Sequence, residues 1–97
     1  MGALVEHLHF KDPIDPELFR TAERDLVPLL RGIDGFRDFH VMHTSDHDVV
    51  LFVQGDNLEA LAQIADELGS AWMHDTVMPL LSKPPERHIG PVIASSG

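Results

Sequence analysis

Cysteine is absent from this chain of 97 residues, which excludes disulfides, thiolate zinc sites and thiol catalysis and leaves the redox compartment open. Basic residues are scarce. Lys and Arg number 7 against 16 Asp and Glu, a formal charge of −9, and they form no cluster or stripe. A surface of that sign repels phosphate backbones, so nucleic acid is excluded as a partner. Long apolar runs are lacking too: none approaches the roughly 18 residues that cross a bilayer, and no basic, hydrophobic leader opens the chain. A cytoplasmic protein without a membrane partner is the expectation. Neither a Gly-rich phosphate loop, a nucleophile elbow nor a dinucleotide fingerprint occurs.

What is present describes one domain over residues 1–97, with 43% hydrophobic and 24% charged residues. A chain this short buries only about two-thirds of its unfolded surface, so a large enclosed pocket needs a partner or a loosely filled cleft. "VEHLHF", Val5 to Phe10, alternates as a strand and puts His7 and His9 on one face. Asp15 as N-cap, Pro16 at the first helical position and Glu17 in the first turn predict a helix. Its apolar stripe is Leu18, Phe19, Ala22, Leu26, Leu29 and Leu30. Pro28 should kink or restart it, and Gly32 and Gly35 should end it in turn conformations. Phe36–His43 and Val49–Val53 read as a hairpin. The second of these strands is apolar on both sides and should be buried on both.

Asp56 or Asn57 caps a further helix with Leu58, Leu61, Ile64, Ala65 and Leu68 as its buried stripe. Gly69 interrupts it, a second helical piece runs through "SAWMHDTVMPLL", "KPPE" is a rigid linker, and "RHIGPVIAS" is a last strand that Pro91 marks as an edge. Strand, helix, strand, strand, helix, strand is the β-α-β-β-α-β order of an α+β, ferredoxin-like fold. Both helices then cover one sheet face. Because "VVLFV" is apolar on both sides, the bare face calls for a cover, and a second copy of the chain is the economical one. A homodimer with its sheets packed together is expected.

The succession "FKDPIDPELF", "RGIDGF", "DVVLFVQGDNLEAL" and "RHIGPVIAS" resembles the dimeric α+β barrel proteins, in particular the antibiotic biosynthesis monooxygenase type. Asp34-Gly35-Phe36 and Glu59-Ala60-Leu61 stand where that type has a Pro-Gly-Phe-like turn and a Glu-Ala-Leu-like helix start. "VEHLHFKD" also resembles the stress-responsive A/B barrel domain, whose early first-strand histidine would correspond to His7. Residues 4 to 94 share the likeness. It implies a dimeric α+β barrel binding a small apolar or aromatic molecule, and, if it is an enzyme, a monooxygenase that needs no cofactor or a related polyketide cyclase. A noncatalytic binding or structural dimer is the first alternative; a haem-binding or haem-degrading protein with a histidine axial ligand is the second.

Three residues are candidate catalytic groups: His7, His9 and His74. Imidazoles titrate near operating pH, so His7 or His9 could remove a proton from an acidic carbon or phenol, and His74 sits beside Asp75, a carboxylate able to orient it. Trp72, the only tryptophan, with Phe19, Phe39, Phe52 and Met73, would form the apolar wall of a substrate site. On a regular helix Trp72 and His74 diverge by about 200°, so one pocket could not take both. His40 and His43 fall on opposite faces of their strand and His47 in the hairpin loop, so no metal is assigned.

Overall fold

A computed structural model describes residues 1–69 and 72–96. The chain runs β1 (Gly2–His9), α1 (Glu17–Asp25), α2 (Val27–Arg31), β2 (Phe36–His43), β3 (Asp48–Gly55), α3 (Leu58–Leu68), a π-helical turn (Trp72–Val77), a 3₁₀ turn (Met78–Leu80) and β4 (Glu86–Pro91). The strands form one antiparallel sheet in the order β2-β3-β1-β4. This is the ferredoxin-like arrangement, with β1 and β3 central and β2 and β4 at the edges.

Alternation decides which side of each strand meets the helices. Leu4, Glu6 and Leu8 of β1 and Val49, Leu51 and Val53 of β3 are buried beneath them, together with Leu26, Leu30, Leu61, Ile64 and Leu68. Ala3, Val5, His7 and His9, with Val50, Phe52 and Gln54, point to the opposite, open face and are half-buried. Within one chain, then, β3 is fully covered on its helix side only.

Local boundaries follow from caps and proline. Asp15 accepts a hydrogen bond from the Glu17 backbone N–H at 3.0 Å, yet Pro16 already has helical dihedrals and is the residue flanking α1. The helix therefore starts one residue later than the N-cap assignment to Asp15 predicts. Proline cannot continue a hydrogen-bonded ladder, and the helix breaks at Leu26 and restarts with Pro28 in the first turn of α2. The restart changes the phase of the stripe: Leu30 is buried but Leu29 is 52% exposed, against its assignment to the buried face. Leu58, the first residue of α3, is likewise exposed. Of the two turn glycines, only Gly35 takes a positive φ, at 91°, whereas Gly32 stays right-handed. Asn57, not Asp56, caps α3, its side-chain oxygen accepting from the Ala60 N–H at 2.8 Å. In the second helical piece, Ser70 and Ala71 lie outside the described residues, and the rest divides into the π and 3₁₀ turns rather than an α-helix.

Candidate functional site

Glu6 is the one buried charged residue among the described residues, 1% exposed on the central strand and beneath the helices. It pairs with Arg87, which lies directly across from it on β4. Arg87 Nε and Nη2 both donate to a single carboxylate oxygen, Oε2, at 2.9 and 2.8 Å. An arginine fork commonly spreads over two carboxylate oxygens. Here both bonds converge on one, and Glu6 Oε1 is buried with no hydrogen-bond partner among the described residues. Leaving a buried acceptor unsatisfied costs about 1–3 kcal/mol, so this oxygen is poised to accept a donor.

A cleft of about 370 Å³ opens at this pair, lined by Glu6, Arg87, Met73, His74, Met78 and Pro85. The π turn shapes one wall. It buries Trp72, Met73 and Val77 while His74 stands at the mouth with its side chain 79% exposed, 3.1 Å from Asp75. Methionine side chains are flexible and polarizable, which makes this wall adaptable. The cleft thus joins an acceptor, a guanidinium and an adaptable apolar wall.

Of the residues singled out by sequence, Met73 and His74 share this cleft. Trp72 is core: its indole N–H donates to Thr21 Oγ1 at 2.9 Å, and its ring meets Phe19 edge to face at 6.3 Å. Phe19 and Phe39 line a different cleft on the β2 side. His7, His9 and Phe52 occupy the open face, across the sheet from Glu6. There His7 meets His88 edge to face at 6.2 Å. His9 Nδ1 lies 2.6 Å from Asp48 Oδ1, and its Nε2 is 3.8 Å from Glu86 Oε1. The Asp48 carboxyl is held below its usual range first by the Ser45 hydroxyl and then by His9; Lys83 does the same to Glu86. The two catalytic candidates on β1 therefore do not meet Trp72, Met73 or His74 in one pocket. Sequence reasoning missed Glu6 and Arg87. A glutamate at a helix-facing position of a central strand is the signal that could have found the first, but its partner lies 81 residues away.

Among the described residues no group of three His, Asp or Glu side chains is placed to hold a metal ion, and no helix is long and apolar enough to cross a membrane. Neither a family model nor a curated protein sequence matches the chain. Solved structures do. A monooxygenase from the gene ActVA-Orf6 of Streptomyces coelicolor, in complex with nanaomycin D, superposes with a TM-score of 0.75 at 19% identity, covering 97% of this chain and 88% of that one. SnoaB, a cofactor-independent oxygenase from Streptomyces nogalater, gives 0.73 at 11% identity over 98% and 95% of the two chains. A dimeric ferredoxin-like protein from an uncultured marine organism gives 0.71 at 12% identity over 97% and 89%. The chain shares the ferredoxin-like α+β fold of these proteins. The Glu6 cleft lies between the π and 3₁₀ turns and the β1–β4 half of the sheet. The open face on the other side carries His7 and His9.

Proposed function

We propose that the chain is a cytoplasmic, homodimeric small-molecule-binding protein that oxygenates an aromatic or polyketide-like substrate without a cofactor, in the cleft at Glu6 and Arg87. The observation that carries this reading is the unpartnered Glu6 Oε1 beside the Arg87 guanidinium. A substrate oxygen that reaches Arg87 competes for its N–H groups and loosens their hold on Glu6. The freed carboxylate accepts a proton from an acidic methylene or phenol, and the guanidinium balances the enolate or phenolate that results. Such a carbanion is electron-rich enough to reduce dioxygen itself. A methylene and O₂ become a carbonyl and water, with the substrate supplying all the electrons. Met73 and Met78 exclude water, and His74 guards the mouth.

The structural likeness to two oxygenases supports this chemistry. The dimer is supported by the half-covered apolar centre of the open face and by a neighbour described as dimeric. The face between the copies would then take His7, His9 and Phe52. The test is dioxygen uptake with a dihydroxy-aromatic ketone bearing an acidic methylene. Glu6→Gln is expected to slow uptake by about 10²-fold or more, the usual worth of a general base, with His7→Ala and His9→Ala close to wild type. Unchanged uptake in a folded Glu6→Gln protein, or its loss in a histidine variant alone, overturns the assignment. No uptake with any such ketone favours ligand binding without turnover.

A further inference from the structure

A second and larger cleft, about 630 Å³, lies between α1–α2 and the β2–β3 half of the sheet. Among the described residues none lines both this cleft and the one at Glu6. Its walls are apolar and partly aromatic: Phe19 from α1, Val27 from α2, Phe39 and Val41 from β2, and Val49 from β3. Its rim carries two arginines in a chain whose formal charge is −9. Arg20 and Arg31 stand there with the imidazoles of His40 and His43, against the single carboxylate of Glu23. Arg20 is already engaged by Glu17. Arg31, the last residue of α2, forms no salt bridge among the described residues.

Few basic residues are available to this protein, and most of those with a described salt bridge are committed elsewhere: Arg24 to Asp25, Arg37 to Asp56, Lys83 to Glu86 and Arg87 to Glu6. An uncommitted guanidinium at the edge of an aromatic-walled cavity is the arrangement that selects a flat ring bearing a negative group. We propose that this cleft is a separate binding site for an anionic aromatic molecule of two or three rings. The ligand's carboxylate or phenolate pairs with Arg31 and its ring plane lies against Phe19 and Phe39. The volume falls within the roughly 300–1,000 Å³ of small-molecule sites. A neutral hydrocarbon would gain the apolar walls but leave Arg31 unanswered.

The chain carries its own reporter. Phe19 forms a wall of the cleft and touches Trp72, the sole tryptophan in a chain without tyrosine, so occupancy should alter intrinsic fluorescence. Titration with 2-naphthoate and with the neutral 2-naphthalenemethanol, followed calorimetrically and by Trp72 emission, separates charge from apolar contact. The acid is expected to bind about fivefold or more tightly than the alcohol, as a partly exposed charge-assisted pair allows. Arg31→Gln should erase that difference, and Arg31→Lys should restore part of it. Arg31 is on the surface, so these variants should keep the wild-type circular dichroism. Glu6→Gln should leave naphthoate affinity unchanged. No binding of naphthoate, equal affinity for acid and alcohol, or a loss on Glu6→Gln with none on Arg31→Gln overturns the proposal, the last by moving the ligand to the other cleft.

Discussion

Glu6 shows how one side chain sets the character of its surroundings. With a single oxygen paired, its charge is balanced only as long as Arg87 stays in place. Removing one partner of a buried pair costs roughly 3–5 kcal/mol, because the survivor is left charged and unsolvated. The Arg87 side chain is 33% exposed, so water offsets part of that cost, and Arg87→Met is expected to destabilise by about 3 kcal/mol, read as a shift in the urea midpoint. Glu6→Leu in the same chain should recover most of the loss; failure to recover would mean that the arginine acts through packing alone. On the open face, Asp48 contributes to the pH dependence of stability. Its carboxyl is held below the usual carboxylate range, chiefly by the Ser45 hydroxyl and next by His9. A group whose pKa is depressed on folding contributes stability above its unfolded pKa and loses it as pH falls through the folded value. Between neutrality and pH 4 the contribution is intact. Asp48→Asn should therefore flatten the stability profile below about pH 4, where wild type is still losing this contribution, and an unchanged acid limb would remove Asp48 from the account.

Among the elements, the turn into β2 is the most constrained. Gly35 has φ of 91°, and a Cβ there would come within 2.9 Å of the Ala60 Cβ on α3. Gly35→Ala combines a left-handed penalty with a collision between backbone-anchored atoms, so a loss of about 2 kcal/mol in thermal or urea unfolding is expected. Gly32→Ala, at a right-handed position with a nearest contact of 3.4 Å, should be near neutral. Element type and order were legible in the sequence because period 2 and period 3.6 are local signals, and proline and asparagine act on their own neighbours. The restart at Pro28 and the cap at Asn57 are of that kind. Phase after a break is not local, which is why Leu29 left the buried face. Neither is a π turn, in which the neighbouring Trp72 and Met73 are both buried. The candidate site was the least legible part: its ion pair joins the first and last strands, and only the register of β1 against β4 brings Glu6 to Arg87.

For the whole molecule, the open face is where the proposed dimer would form. Register sets its rows: Met42, Val50, His7 and Glu86 across one, and His40, Phe52, Val5 and His88 across the next. Val5, Val50 and Phe52 are central and half-buried, Met42 is 58% exposed at the β2 edge, and histidines and carboxylates flank them. An apolar centre with a polar rim is the anatomy of a protein interface, and in the proposed isologous pairing of two such faces Phe52 would lie within the contact. Phe52→Lys puts an ammonium there in both copies, in a desolvated centre. The expected outcome is a folded monomer in native mass spectrometry and light scattering, with the wild-type helical circular dichroism, because residue 52 points away from the helices. Leu51→Lys, one residue along the same strand, turns inward to a position with no exposure and should instead unfold the chain. A Phe52→Lys protein that remains dimeric would place the contact between copies elsewhere and leave the apolar centre of this sheet without its cover.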